Sequence, residues 1–286
     1  MANAAPDHKP AHLTSRHRAL KMATKGVLRN DRLLLYLKSI KLAVEASILR
    51  PISVYDRVIP LLPEILGRKD PMILDIGANM GQFALRVAQQ FPEGHIYSFE
   101  PIHESAMGLQ RAKRWLRLRN ISIHEEAVCD AVGTEMIHVP ILKGGFRDGA
   151  LAVLDGSKIS YDNVRYHTEM VRTNTIDVFV RTIGLNRIDL IKVDTEGAES
   201  RVISGGLTTI GRLLPALYLE TPFDQPWLKE LYESGYQPFY NDGAELFAPH
   251  TGPRQTDVLL VHRSRCPQIA RLLADLDART AITASQ

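Results

Sequence analysis

The residues with the clearest chemical potential lie in the run Leu74-Asp75-Ile76-Gly77-Ala78-Asn79-Met80-Gly81-Gln82. An apolar stretch, Met72-Ile73-Leu74, leads into it, and Phe83, Leu85, Val87 and Ala88 follow at helical spacing. A turn between strand and helix in an open parallel sheet lies at the carboxyl edge, where such sheets bind ligands. Gly77 and Gly81 are expected to let the backbone approach a ligand where a Cβ would collide. The helix N-terminus offers amides to a carboxylate. A dinucleotide clamp would need glycines where Asn79 and Gln82 stand, and a P-loop would need Gly-Lys-Ser/Thr, which is missing. Glu100 follows the next strand, His95-Ile96-Tyr97-Ser98-Phe99, and can accept both hydroxyls of a ribose. Asp75 nearby disfavours phosphate. A ribose-bearing ligand with an ammonium and a carboxylate but no phosphate matches S-adenosylmethionine. Its expected contacts are Asp75, Gly77, Ala78, Asn79, Gly81, Gln82, Glu100 and Pro101, with Ala127 and Val128 against the adenine.

Four blocks in order carry a resemblance to a known family. They are 73–81 just described, Ser98-Phe99-Glu100-Pro101, Thr175-Ile176-Asp177, and Ile188-Asp189-Leu190-Ile191-Lys192-Val193-Asp194-Thr195-Glu196-Gly197-Ala198-Glu199. On these the chain resembles the FkbM family of S-adenosylmethionine-dependent methyltransferases over roughly residues 71–261. The last block is the specific one. The resemblance implies an O-methyltransferase acting on hydroxyls of sugars, glycans or secondary metabolites, and leaves the acceptor open.

Methyl transfer to an alcohol requires loss of the hydroxyl proton as the oxygen attacks, and a carboxylate can orient the hydroxyl and take that proton. Asp194 and Glu196 are the candidate catalytic residues. Glu199 is read as a helix-start acid favoured by the dipole. Asp194, Glu196 and Glu220 are all oxygen donors at strand ends, but no metal-specific spacing joins them, so no metal is expected. Tyr161, Tyr166 and His167 are candidates for lining an acceptor pocket, with Glu220. His103, His124 and His167 are the alternative bases. Lys192, inside an apolar strand, needs a partner. Asp177 reads as a cap or ion-pair partner. An N-methyltransferase is the alternative activity, but the Asn/Asp-Pro-Pro-Tyr motif of such enzymes has no counterpart at Asp194-Thr195-Glu196-Gly197.

The elements that must position these residues alternate strand and helix, which predicts an α/β fold: a class I methyltransferase, Rossmann-like sheet, mostly parallel with an antiparallel closing strand. A β-meander is expected over 135–140, 150–154 and 168–180, inserted against the sheet. Later elements are a strand at 188–194, a helix over 198–204, a strand at 216–220, a helix over 227–234, a closing antiparallel pair at 236–240 and 257–262, and a last helix over 267–278. Ahead of the first strand, helices are expected over 33–49 and 53–66, the second ended by Gly67. The division is a basic tail with a helical extension, 1–70, and a methyltransferase domain, 71–286.

The chain of 286 residues is 45% hydrophobic and 23% charged, which excludes disordered and collagen-like classes. Two cysteines exclude a disulfide scaffold and suit a reducing compartment. The absence of a signal-peptide core or a long apolar run leads to an expected cytoplasmic location. Net charge is +3, yet the first fifty residues carry +7 and the rest −4. The partner expected is a small-molecule or glycan acceptor, with the N-terminal helices available for peripheral membrane contact or self-association. No nucleic acid is expected, because the basic segment lacks interleaved aromatics beyond Tyr36.

Overall fold

The computed structural model describes residues 31–47, 57–141, 151–154, 165–241, 243, 245–249 and 255–269. Helix α1 (Asp31–Ser47) precedes a 3-10 turn (Ile59–Leu61) that runs into the short helix α2 (Leu62–Leu66). Of the second helix, expected over 53–66, residues 53–56 lie outside the described residues, and over 59–66 it is a 3-10 turn followed by a short helix, because Pro60 and Pro63 lack the amide a regular helix needs. Gly67 does end it, in the left-handed conformation at φ 63°.

From there strand and helix alternate: β1 (Met72–Ile76), α3 (Gln82–Gln90), β2 (His95–Phe99), α4 (His103–Trp115) and β3 (Ile121–His124). The next stretch leaves the main sheet, with β4 (Ala127–Val128), β5 (Gly133–Ile141), β6 (Val153–Leu154) and β7 (Arg165–Asn174). These make a separate four-stranded sheet in the order β4-β7-β5-β6, in which β5 and β7 are antiparallel. The strand expected over 168–180 stops at Asn174. The Thr175 hydroxyl accepts from the Val178 amide at 3.1 Å and starts helix α5 (Ile176–Ile183) instead.

The chain then returns to the main sheet through β8 (Leu190–Val193), α6 (Glu199–Ser204), α7 (Leu207–Leu213), β9 (Ala216–Leu219) and α8 (Lys229–Glu233). Strands β10 (Tyr236–Asn241), β11 (Leu246–Phe247) and β12 (Val258–His262) close it. Helix α7 has no clear apolar signature, but Asp177 anchors its start by accepting from the Thr209 amide at 2.7 Å and the Thr208 amide at 3.2 Å. Of the last expected helix, a 3-10 turn (Arg263–Ile269) is present and 270–278 lie outside the described residues.

The main sheet runs β11-β10-β12-β9-β8-β1-β2-β3. Its five strands from β3 to β9 are parallel, and β12 joins β9 antiparallel. This is the class I methyltransferase, Rossmann-like arrangement. Strands β8, β9 and β12 are buried along their whole length, as expected for strands covered by helices on both faces. Because β12 runs backwards, its first residues arrive at the edge where the parallel strands end. Among the described residues, no helix is long and apolar enough to cross a membrane.

Candidate active site

Beyond the carboxyl ends of β1, β2, β8 and β9 lies a cavity of about 250 Å³. On the main sheet's side it is lined by Gly77, Ala78, Asn79, Gln82, Glu100, Pro101, Lys192, Asp194, Glu196, Tyr218, Glu220 and Asp257. Ala127 and Val128 border it, and the small sheet closes it with Ile137, Ala152 and Leu154. An apolar wall faces a row of carboxylates.

The glycine turn is held by the protein's own packing. A Cβ on Gly77, whose φ is +76°, would lie 1.7 Å from the Asp194 carbonyl oxygen. A Cβ on Gly81, φ +94°, would lie 2.2 Å from the Leu109 side chain. Apart from any ligand, these glycines let β1 approach β8 and α3 approach α4. Gly81 does not line the cavity, whereas Gly77 does through its backbone. Glu100 is buried beneath the turn. Its Oε2 accepts from the Asn79 amide at 2.8 Å and its Oε1 from the Ile102 amide at 2.9 Å. Burial pushes its carboxyl up to about 7, against those two bonds that favour the ionised form.

A row across three strands carries the second cluster. Asp75 on β1 is in register with Lys192 on β8, and Lys192 with Tyr218 on β9. Asp75 is wholly buried behind Lys192 and does not reach the cavity, so its expected contact with a ligand is corrected. Burial raises its carboxyl, and the Lys192 ammonium at 3.5 Å opposes that. Lys192 also donates to the Gly77 carbonyl at 3.1 Å and pairs with Asp194 at 3.0 Å. Burial disfavours its charge, but Asp194 and Asp75 more than compensate, so it stays an ammonium.

Burial likewise raises Asp194, but Lys192 and a hydrogen bond from Glu220 outweigh it and hold Asp194 below the usual carboxylate range. Glu220 is driven well above that range by burial, by its bond to Asp194, and by the charges of Asp194, Glu196 and Asp257. The two carboxyls are thus pushed apart, Asp194 toward its ionised form and Glu220 toward its protonated form. Asp194, Glu196 and Glu220 each offer an oxygen within 4.8 Å of the others, a grouping that could hold a cation.

Two of these residues gave little sign in the sequence. Lys192 showed only as a charge needing a partner. Asp257 showed only as the start of the expected closing strand, and its place in the site depends on that strand pairing with β9. It accepts from the Tyr218 hydroxyl at 2.9 Å and from the Thr256 hydroxyl at 3.0 Å. Glu199 is more than a helix-start acid. Its Oε1 accepts from the Thr195 amide, the Thr195 hydroxyl and the Gly197 amide, all at 3.0–3.1 Å. Those bonds hold the turn in which Glu196 adopts φ 51° and Gly197 φ 103°.

None of the candidate histidines reaches the cavity. His103 pairs with Glu125 at 3.0 Å on the surface, and His167 with Glu169 at 3.6 Å. His124 packs between Phe99 and Phe179, where burial lowers its pKa. Tyr166, next to His167 on β7, faces His138 and does not line the cavity either. Of the expected acceptor contacts among the described residues, Glu220 lines the cavity. Tyr161 lies outside the described residues.

The model of the methyltransferase FkbM domain matches residues 75–248. The chain is 30% identical over 174 residues to the 2-O-methyltransferase NoeI of Sinorhizobium fredii, covering 59% of this chain and 68% of that protein. It is 28% identical over 149 residues to Methyltransferase 1 of Beauveria bassiana, covering 48% of this chain and 58% of that protein. Among solved structures, the methyltransferase FkbM of Methylobacillus flagellatus is similar at 14% identity and a TM-score of 0.44, over 68% of this chain and 44% of that one.

Proposed function

The chain belongs to the FkbM methyltransferase family, and from that premise we propose that it moves a methyl group from S-adenosylmethionine to a hydroxyl of a sugar, glycan or related metabolite. The observation that carries the reading is one cavity joining Glu100 and the glycine turn to the ionised Asp194. The name of the Sinorhizobium relative, a 2-O-methyltransferase, supports oxygen as the acceptor atom.

The residues present fit the cofactor. Glu100 has lone pairs left for two hydroxyls after its two backbone bonds. The first turn of α3 offers amides to a carboxylate. Ala127, Val128, Ile102 and Leu154 give apolar surface for a base. When bound, the cofactor supplies an electrophilic methyl on a sulfonium. The chain's residues do the rest. Asp194 and Glu196 orient the acceptor hydroxyl, and Asp194 takes its proton as the new bond forms. Lys192 keeps Asp194 ionised, and the protonated Glu220 fixes the rotation of its carboxylate. Much of the rate then comes from alignment.

Calorimetry tests the reading. S-adenosylmethionine and its demethylated product should both bind, and NADH should not compete. Comparable affinity for NADH would sink the assignment.

A further inference from the structure

The fold leaves one face whose composition the methyl-transfer chemistry does not use. Helix α1 lies along α4 and buries Ser39 and Ala43. Tyr36 meets Trp115 of α4 edge-on, with ring centroids 5.7 Å apart. Yet Tyr36 stays 43% exposed, Leu37 41%, Val44 53% and Trp115 46%. Leu37, Lys41 and Val44 share one stripe of α1 at i, i+4 and i+7, and Met107, Arg111, Arg114 and Trp115 share one stripe of α4. The chain from 103 to 120 holds five bases, Arg111, Lys113, Arg114, Arg117 and Arg119, against one acid, Glu104. Arg114, Arg117 and Arg119 are exposed.

We propose that this α1–α4 face docks the enzyme on an anionic lipid bilayer. Exposed aliphatic and aromatic groups set among arginines and lysines are what an interfacial surface presents: rings and aliphatic chains enter the headgroup boundary while the bases meet lipid phosphates and carboxylates. Charge selects this occupant over others. A second copy of the chain would bring an equally basic face against it and be repelled. Residues 1–30 are themselves basic, so they add to the attraction and do not neutralise the face. A nucleic acid would use the arginines but leave Leu37, Val44 and Met107 without a role. The geometry leaves the enzyme free to work. Helix α4 starts beside the cavity and runs away from it for 13 residues, roughly 20 Å, so Trp115 and the following arginines lie toward the opposite edge of the sheet.

The test is co-sedimentation of the full chain with vesicles of phosphatidylcholine alone or mixed with phosphatidylserine. Binding is expected only to the mixed vesicles and is expected to fall at high salt. Replacing Arg114, Arg117 and Arg119 by Gln together should weaken partitioning by about 100-fold, at about fivefold for each base near an anionic surface. Leu37→Gln with Val44→Gln should weaken it independently through the other helix, which guards against a folding defect in the first variant. In a Trp227→Phe background Trp115 is the sole tryptophan. Its emission should shift to the blue on the mixed vesicles. Equal binding to both vesicle types overturns the proposal, as does undiminished binding by both variants. Tighter binding to single-stranded RNA than to the mixed vesicles overturns it in favour of a nucleic-acid surface.

Discussion

Replacing Asp194 by Asn keeps the shape of the side chain and removes the charge on which the proposed proton transfer depends. If Asp194 is the base, turnover should fall by about 10²–10⁴, the range for a positioned acid–base group. That corresponds to about 3–5 kcal/mol of barrier. Stability should suffer less. Lys192 keeps Asp75 at 3.5 Å and the Gly77 carbonyl at 3.1 Å, so it is not orphaned. The loss should therefore be about 1–2 kcal/mol, below the 3–5 kcal/mol of a stranded buried charge. The pH profile carries the sharper signature. In the natural enzyme Asp194 is held low and stays ionised through neutral pH, so the rate should be flat there. In the variant, Glu220 loses the neighbouring anion that helps to hold its proton. Its carboxyl comes down, and the residual rate should climb as pH rises and Glu220 ionises. Adding Glu220→Gln should abolish the climb. The assay is initial rate against pH with saturating cofactor, with Glu196→Gln as the control. A variant with near-normal turnover and a flat profile would falsify the role of Asp194; if Glu196→Gln is then inactive, the roles are exchanged.

Glu100→Gln should weaken cofactor binding by about one to two decades, the worth of hydrogen bonds to a charged group. Because Glu100 is raised to about 7 and the cofactor's hydroxyls need the ionised form, affinity in the natural enzyme should rise as pH passes upward through about 7. Calorimetry over that interval should show the rise, and the variant should lack it. Gly77→Ala sets a Cβ against the Asp194 carbonyl in a left-handed conformation; a loss of about 4 kcal/mol or more is expected, and an unchanged melting temperature would refute the close approach. Exhaustive dialysis against EDTA should leave turnover unaltered, since Lys192 already supplies the positive charge among the carboxylates; recovery that requires added magnesium would make Asp194, Glu196 and Glu220 a metal centre.

Much of the sheet was legible because its cues are local. The apolar run before Gly77, the Glu100-Pro101 strand end and the run Leu190-Ile191-Lys192-Val193 before Asp194 each declare a strand and its carboxyl end. The antiparallel closing pair was also legible, from two apolar runs near the end of the chain. What remained hidden depends on distance in space. Asp75 reads as a ligand contact from its place beside the turn, and only the register with Lys192 shows that it is buried behind it. Tyr166 and His167 sit in the right insertion, but β7 pairs them with Pro140 and Val139, past the Ile137 that lines the cavity. Thr175 outweighs the strand-like residues after it because one side-chain bond satisfies a helix start. Asp257 reads only as the first residue of the closing strand; its reach into the site follows from that strand lying beside β9, with Val258 opposite Leu219.

The contact between Gly77 and the Asp194 backbone has a consequence for how specificity can diverge. At that point the two strand ends are separated by the thickness of a carbonyl group, and no side chain can be interposed. The floor of the cavity cannot be widened or narrowed by substitution there, and Lys192 ties the same two segments together. The roof is built differently: Ile137, Ala152 and Leu154 come from the small sheet, and each can change volume without disturbing β1 or β8. New acceptor preferences should accumulate in the roof while the floor stays as it is. A library randomised at those three positions would sample acceptors at little risk to the reacting groups beneath.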